Sequence, residues 1–285
     1  MGGIVWLASY PKSGNTWFRA FISSLLNDES EEISINKMKT DGIFSSRQIL
    51  DCMTGVESSN LTVDEIDRLR PAVFNYLSQN AKRSLFVKVH DAYTYLDDGT
   101  PLLGTAGAKA IYIVRNPLDV AVSFANHSSK DFDHVIEWMG TPAFAFCGSR
   151  GSLPNQTRQK LLTWSMHVES WARAAELPVH IVRYEDMKAD PVATFAKALR
   201  FIGFVCADEQ IMRATEASSF EKLKAEEEQK GFREKPCKTA SFFRSGQTGD
   251  WRNHLSEAQR DRIIADHGTM MRKYGYLDDR GNPVY

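Results

Sequence analysis

Lys12 lies in a short run of residues whose side chains suit an anion, Lys12-Ser13-Gly14-Asn15-Thr16. The lysine supplies a positive charge, the glycine lets a ligand approach the backbone, and the other side chains donate hydrogen bonds. The apolar run 4–8 predicts a strand before it, and 16–22 predicts a helix after it, whose N-terminus adds unpaired N–H groups. This order predicts an anion-binding loop, although an ordinary strand–helix turn explains the segment equally well by itself.

The run is not a Walker A loop. That motif needs a lysine directly after its last glycine, whereas here Lys12 precedes Gly14. The missing spacing disfavours an ATP-dependent kinase.

A second candidate anion site surrounds Arg115. The segment 109–114 predicts an apolar strand, and a helix follows that begins at Pro117 with Asn116 as its cap. Arg115 then lies at the carboxyl end of the strand, where its planar guanidinium suits a phosphate. Ser123 lies about two turns into the helix and is able to reach the same side. Two such junctions indicate a ligand with two separated anionic groups.

Lys88 and His90 form the third candidate group, at the end of the predicted strand 84–89. Alternation along a strand places both side chains on one face. A neighbouring cation favours the neutral imidazole, which is the form that a general base needs. A purely structural histidine is the alternative interpretation of such a residue.

The elements that must position these residues alternate between apolar strands and helices. A fourth strand is predicted at 178–183. The predicted helices are 61–79, divided or kinked at Pro71, then one from Pro117, 156–175, 191–203, 208–217 and one opened by Ser256. This pattern predicts an α/β fold, a single domain over 1–285 with a central, mainly parallel sheet flanked by helices. The loop after the first strand takes the place of a P-loop.

Net charge, cysteine spacing and apolar runs indicate which partners and which compartment to expect. The 285 residues carry a formal net charge of −1. That charge gives no general argument for nucleic acid or for stable membrane association. The four cysteines lack metal-ligand spacing, which favours free thiols in a reducing compartment. No apolar run is long enough for a membrane span, and the N-terminus does not resemble a signal peptide, so a cytoplasmic protein is expected.

The stretch 222–244 is rich in lysine and arginine and has weak periodicity. A long basic loop is often a lid over an anion, and a flexible surface loop is the alternative. Residues 27–60 are polar and irregular and include the acidic run 28–32.

Taken in order, these segments resemble the motifs of the cytosolic-type sulfotransferases. Tyr10–Trp17 resembles their 5′-phosphosulfate loop, and Arg115–Ser123 resembles their 3′-phosphate motif. The other segments that agree are Lys88-Val89-His90, 164–171, 184–187, 218–220, 244–246 and 249–254. The similarity covers nearly the whole chain, from 4 to 254, and the chain is identified as a bacterial-like member of this family.

The resemblance implies 3′-phosphoadenosine 5′-phosphosulfate (PAPS) as donor and adenosine 3′,5′-bisphosphate (PAP) as product, with no metal. It implies that Lys12 contacts the oxygen bridging phosphate and sulfate, and that Ser13, Gly14, Asn15 and Thr16 hold the 5′-phosphate. The remaining implied contacts are Trp17 stacked on adenine with Phe220 nearby, Tyr184 and Ser218 hydrogen-bonded to the base, and Arg115, Ser123, Arg244 and Gly246 on the 3′-phosphate. The segment 222–244 is then the lid over the nucleotide.

The implied reaction is sulfuryl transfer to a hydroxyl of a small molecule. His90 takes the acceptor's proton, and Lys12 and Lys88 stabilise the charge that develops. A small-molecule kinase and an inactive nucleotide-binding module are the two alternatives. The retention of all three residues argues against the second, because binding alone requires no base.

Two positions depart from the family pattern. Ser245 stands where the family commonly has lysine, which removes one charge from the nucleotide motif. Asp91 follows the catalytic histidine, where animal members usually have an apolar residue. Asp91 has three possible roles: to orient His90, to meet a polar acceptor, or to cap the turn. The dimer motif of animal members is not matched at 256–259, which leaves monomer and homodimer open.

The acceptor pocket is expected in the segments 27–60, 91–104 and 130–160. They hold several aromatic residues, namely Phe44, Tyr93, Tyr95, Phe132, Trp138, Phe144 and Phe146. These favour an aromatic or partly apolar alcohol or phenol, and core packing explains many of them equally well.

Overall fold

The chain forms a four-stranded sheet with helices around it in a computed structural model. The structure describes residues 2–27, 34–148, 153–236, 239 and 241–285. The acidic run 28–32, Cys237, Lys238 and part of the predicted segment 130–160 lie outside the described residues. Within the described ranges, no helix combines the length and apolar character needed to cross a membrane.

The sheet has the order β2-β1-β3-β6, with strands β1 (Gly3–Ser9), β2 (Ser84–Val89), β3 (Lys109–Val114) and β6 (Val179–Arg183). Every residue of β1 is buried, because this strand lies inside the sheet with helices on its faces. β1 and β2 run parallel, with Ala8 opposite Val89. A separate antiparallel pair is formed by β4 (Ala145–Phe146) and β5 (Gln159–Lys160). The predicted α/β fold with a central parallel sheet is confirmed.

The helices are α1 (Asn15–Leu26), α2 (Arg47–Thr54), α3 (Val63–Gln79), α4 (Pro117–Ser128), α5 (Phe132–Met139), α6 (Trp164–Ala172), α7 (Tyr184–Ala189), α8 (Pro191–Ile202), α9 (Asp208–Ala217), α10 (Phe220–Lys230) and α11 (Glu257–Lys273). Short 3₁₀ helices cover Ser58–Asn60 and Asp250–Asn253. The predicted caps of α3, α4 and α11 are confirmed: Thr62 and Ser256 form capping boxes, and Asn116 accepts the N–H of Leu118.

Three predictions about local structure were wrong, and of the two alternatives for Pro71, division of the helix is wrong, because α3 runs through this residue. The helix predicted over 156–175 is α6 alone, because 159–160 form β5. The stretch 27–60 contains α2. The first part of the predicted basic loop is α10, whose glutamates and lysines favour a helix despite their weak amphipathic pattern.

Two compact units divide the chain. The first unit consists of Met1–Tyr10, Asp41–Tyr112 and Thr141–Ile181. The second unit consists of Pro11–Thr40, Ile113–Gly140 and Val182–Tyr285. The core of the first includes Trp6, Phe86 and Trp171, and that of the second includes Phe18, Phe21 and Phe195. The single-domain prediction for 1–285 stays a prediction.

Candidate active site

The loop after β1 has a backbone shape that suits an anion. Lys12 and Gly14 both have positive φ, 67° and 103°. A Cβ at Gly14 would lie 2.6 Å from Cδ2 of Tyr184, so glycine is required both for the backbone angle and for the ring. Helix α1 begins directly after Gly14, and the first N–H groups of a helix have no intrahelical acceptor. The predicted loop is therefore present where β1 meets α1.

Two buried polar atoms at this loop, Oγ of Ser13 and Nε1 of Trp17, have no hydrogen-bond partner among the residues that the structure describes. Ser13 is fully buried, and its Oγ has no hydrogen-bond partner among the described residues. Asn15 and Thr16 are also buried in the first turn of α1. Nε1 of Trp17 is buried and unpartnered in the described part of the chain. Buried donors of this kind cost free energy unless a ligand satisfies them.

Arg115 connects this loop to the segment around Gly246. Its Nη1 donates to the carbonyl oxygen of Lys12 at 3.2 Å, and its Nη2 donates to that of Gln247 at 3.1 Å. The guanidinium also stacks 4.2 Å from the ring centroid of Tyr184. Carbonyl oxygens carry no net charge, so Arg115 retains its own charge within the site. Its Nε has no partner among the described residues.

Tyr184 and Phe220 pack against the two glycines of the site. The Tyr184 hydroxyl donates to the carbonyl oxygen of Gly246 at 3.3 Å, and burial raises the pKa of this phenol. A Cβ at Gly246, whose φ is 64°, would lie 2.5 Å from the Phe220 ring. Trp17 meets the Tyr184 ring edge-to-face at 5.9 Å. These predicted residues thus lie together in the second unit.

Lys188 was missed by the sequence reasoning. Its Nζ lies 5.7 Å from the ring centroid of Trp17 and 5.9 Å from that of Phe220. The lysine therefore lies against both rings to which the resemblance assigns adenine contacts. Its position four residues after Tyr184, on helix α7, was the available signal.

Arg244 is paired with an acidic residue. Its Nη2 donates to Asp250, and its Nη1 lies 3.3 Å from Nε2 of His254. Burial alone opposes ionisation of Asp250, but the hydrogen bond and charge of Arg244 outweigh it and lower the pKa of this carboxyl. Ser245 and Gly246 follow in the same segment and are half-buried.

Two predicted nucleotide contacts, Ser218 and Ser123, lie at the end of α9 and within α4. Ser218 is fully buried, and its hydroxyl donates to Ala214 within α9 at 2.7 Å, so only its lone pairs remain for a base. Ser123 is half-buried in α4. The role of each stays a prediction.

Lys12 has an aromatic neighbour that the sequence reasoning missed. Its Nζ lies 3.6 Å from the ring centroid of Phe242, which is a cation–π contact. Phe242 stands two residues before Arg244, inside the stretch 222–244 that the sequence predicts as a basic lid or a flexible surface loop. Three-dimensional structure was needed to find this contact, because 230 positions separate the two residues.

Lys88 and His90 lie in the first unit, at the carboxyl end of β2. The pairing of β2 with β1 places His90 beside Ser9, and Nδ1 of His90 lies 2.9 Å from the carbonyl oxygen of Ser9. A carbonyl oxygen only accepts, so Nδ1 carries the proton. In the neutral ring, the lone pair is therefore on Nε2. Lys88 is half-buried at the end of the strand, as predicted.

Asp91 is held by a buried ion pair. Nη1 and Nη2 of Arg70 donate to its two carboxylate oxygens at 3.1 and 2.9 Å, and both side chains are buried. Arg70 also meets Asp67 at 3.3 Å, and Asp67 meets Arg158 at 2.6 Å. Burial by itself would lower the pKa of Arg70, but Asp91 and Asp67 outweigh it and raise the pKa. A carboxylate so engaged is not presented to an acceptor, so that alternative for Asp91 is disfavoured.

His167 supports the peptide of His90. Its Nε2 lies 3.0 Å from the carbonyl oxygen of His90, and its Nδ1 lies 2.9 Å from the Tyr112 hydroxyl. Nε2 must donate to the carbonyl, so Nδ1 accepts from the tyrosine. Burial lowers the pKa of His167 to about 4, which keeps the ring neutral near pH 7. The sequence analysis included His167 only within the 164–171 motif.

Comparison with known proteins decides the family. The family model described as "Sulfotransferase domain" matches residues 4–275. The chain belongs to the sulfotransferase-domain family.

Similar proteins come from plants and animals. Flavonol 3-sulfotransferase of Flaveria bidentis is 26% identical over 282 residues, covering 91% of this chain and 78% of that protein. Sulfotransferase 1E1 of Homo sapiens is 26% identical over 278 residues, covering 94% of this chain and 83% of that protein.

Two solved structures share the fold. Mouse sulfotransferase SULT7A1 complexed with PAP has a TM-score of 0.60 at 22% identity, covering 98% of this chain and 86% of that one. Retinol dehydratase in a complex with retinol and PAP has a TM-score of 0.61 at 21% identity, covering 94% and 81%. The predicted family resemblance is thus confirmed.

Proposed function

We propose that this sulfotransferase-family protein transfers a sulfuryl group from PAPS to a hydroxyl of a small molecule. The supporting observation is the double hydrogen bond of Arg115 to Lys12 and Gln247. It joins the loop that resembles the 5′-phosphosulfate motif to the residue after Gly246, to which the resemblance assigns the 3′-phosphate. A donor with two separated anionic groups matches such a cradle.

The residues present fit the nucleotide. Phosphate oxygens would pair with Oγ of Ser13 and Nε of Arg115, which are buried and have no partner within the described ranges, and the N-terminus of α1 adds backbone N–H groups. Trp17 and Phe220 would hold the adenine ring, with Tyr184 beside it. Mouse SULT7A1 and retinol dehydratase, which share this fold, are both described as complexes with PAP.

His90 is the proposed general base. Its Nδ1–H donates to the carbonyl oxygen of Ser9, so Nε2 is the atom that takes the proton from the hydroxyl of the small molecule. When bound, PAPS supplies an activated sulfuryl group. Lys12 would stabilise the negative charge that develops on the oxygen leaving with PAP, and Lys88 would stabilise the sulfuryl oxygens.

The acceptor is proposed to be a hydroxyl-bearing small molecule. One similar protein is named a flavonol sulfotransferase, which is consistent with a ring-bearing alcohol or phenol. Half-buried Phe144 and Phe146, which pack edge-to-face at 5.7 Å, supply apolar surface in the predicted segment 130–160.

Calorimetric titration with PAP, AMP and ATP, without added metal, tests the donor site. PAP should bind more tightly than AMP, because Arg115 and Arg244 have a 3′-phosphate to contact only in PAP. Equal affinities would refute the two-anion cradle. Preference for ATP would favour the kinase alternative.

The role of His90 is tested by His90→Ala. We expect turnover with a responsive hydroxyl acceptor to fall roughly 10²–10⁴-fold, while PAP affinity stays within a factor of about two. Matched assays with acceptors screened on the unmodified protein provide the measurement. Undiminished turnover would exclude His90 as the base, and PAP binding without turnover on any acceptor would favour the inactive-module alternative.

A further inference from the structure

Glu227 is a buried carboxylate on α10 that binds a distant stretch of backbone. Its Oε1 accepts the N–H of Phe242 at 2.7 Å, and its Oε2 accepts the N–H of Phe243 at 2.8 Å. The Ser241 hydroxyl donates to Oε2 at 3.2 Å. Three consecutive residues are therefore fixed by one side chain, which is only 5% exposed.

The stretch that Glu227 fixes enters the proposed nucleotide site. Phe242 places its ring 3.6 Å from Nζ of Lys12. Arg244, to which the resemblance assigns the 3′-phosphate, follows Phe243 directly. The same helix supplies Phe220, whose ring covers Gly246. Helix α10 thus fixes the stretch 241–246 at both of its ends.

Apolar packing assists this attachment but does not determine its direction. Phe243 joins a buried cluster with Ala20, Ile35, Leu223 and Phe232, and Phe242 packs on that cluster. Apolar contact is non-directional, whereas the two N–H bonds to Glu227 set which side of the backbone faces α10. The carboxylate therefore determines how Phe242 and Arg244 are presented.

We propose that Glu227 is a positioning residue for the nucleotide: it holds 241–243 so that Phe242 lies against Lys12 and Arg244 is directed to the 3′-phosphate. This inference rests on the proposed function. It also assigns the first half of the predicted lid a specific task, since α10 carries Glu227. The carboxylate itself never contacts the nucleotide and acts through the backbone that it binds.

The test is Glu227→Gln, with Glu228→Gln as the matched control. Glutamine keeps the size and one acceptor oxygen but directs an NH₂ group at one of the two backbone N–H groups. Glu228 is the next residue on α10, is exposed, and lies 4.0 Å from Lys224. Both variants and the unmodified protein are titrated with PAP and with AMP.

Glu227→Gln should weaken PAP binding about tenfold and AMP binding by less, because only PAP uses the 3′-phosphate contact. The PAP-to-AMP affinity ratio is the decisive measurement, since a general loss of structure lowers both affinities together. Glu228→Gln should leave both affinities unchanged. An unchanged ratio in Glu227→Gln would overturn the positioning role.

Ser241→Ala keeps the experiment informative if Glu227→Gln does not fold. It removes one donor to the carboxylate and should lower the PAP-to-AMP ratio in the same direction, by roughly twofold. No change in that ratio contradicts the proposal. The proposed function is tested separately by the unmodified protein. If that protein does not bind PAP more tightly than AMP, the proposed donor site is wrong, independently of the result for Glu227.

Discussion

Buried carboxylates have different kinds of partner in the two units. In the first unit, buried carboxylates are paired with guanidinium groups: Asp91 with Arg70, and Asp67 with both Arg70 and Arg158. These charges neutralise one another. In the second unit, the buried carboxylates accept backbone N–H groups, and Glu227 also lies 4.0 Å from Nζ of Lys235.

Three carboxylates show this in the second unit. Asp119 accepts from Gly249 at 2.8 Å and from Trp251 at 3.0 Å. Glu185 accepts from the N–H of Asn116 at 3.0 Å, and burial raises its pKa. Glu227 accepts from Phe242 and Phe243. Each carboxylate thereby fixes a loop of the proposed nucleotide site.

The difference has a functional consequence. A guanidinium that is neutralised by a buried carboxylate has little charge left for a ligand, whereas Arg115 donates only to carbonyl oxygens among the described residues. The proposed nucleotide site in the second unit therefore keeps the charge of Arg115 for an anion, while Arg244 in the same unit is paired with Asp250. The first unit uses its ion pairs to hold the turn that carries His90.

Breaking the ion pair should give the largest change in stability. Arg70→Met leaves Asp91 buried without its guanidinium, and we expect a loss of about 3–5 kcal/mol in the free energy of unfolding. The double variant Arg70→Met/Asp91→Leu should recover most of it, since Asp91 is removed and buried Asp67 keeps its pairs with Arg158 and Lys160. Urea unfolding gives the values. As a control, Arg83→Met removes the exposed pair with Asp41 and should cost under about 1 kcal/mol. A loss as large as that of Arg70→Met would contradict the special importance of the buried ion pair.

Acid should destabilise both units through one buried histidine each. Burial lowers the pKa of His167 and of His267 from 6.5 to about 4. Between these values the unfolded chain binds protons that the folded chain does not, so stability falls as the pH drops from 6.5 to about 4. Each residue accounts for up to about 3 kcal/mol.

Unfolding curves at several pH values between 7 and 4 measure this effect. His167→Gln retains a donor for the His90 carbonyl and should flatten the decline, as should His267→Gln. A decline as steep as that of the unmodified protein in both variants would exclude the histidines as its cause.

Asp119→Asn tests whether carboxylate–backbone bonds are weaker than ion pairs. Asparagine keeps one acceptor oxygen and loses the charge, and we expect a loss of about 1.5–3 kcal/mol. Thermal or urea unfolding measures it. A loss of unfolding free energy larger than that of Arg70→Met would show that carboxylate–backbone bonds stabilise this protein more than its buried ion pairs do.

Ser245→Lys should give the smallest effect, a gain in PAP affinity of up to about tenfold. It restores the charge that the family commonly has beside Arg244. The gain should decrease in high salt, because the residue is half-buried and partly screened. Titration at low and high salt measures it, with Ser245→Gln as the uncharged control. Equal gains in both variants would show that charge is not the cause.

Local elements were predictable where one strong signal decided them. Strands β2 and β3 and the caps of α3 and α4 appear where the sequence indicated, because apolar runs and capping residues act locally. Helix α10 was missed because its stability depends on tertiary contacts such as those of Leu223 and Glu227, which weak periodicity does not show. Helix α3 continues through Pro71, where the sequence left a division or a kink open.

The sequence by itself predicted the four strands of the main sheet, the helices with strong caps and the family resemblance. These depend on neighbouring residues or on ordered motifs. Only the tertiary structure decided what the buried charges do: that Asp91 binds Arg70, that His90 donates to Ser9, and that Glu227 holds Phe242. The reason is physical. A charged group's role depends on the partner that desolvation forces it to find, and that partner lies far away in the chain.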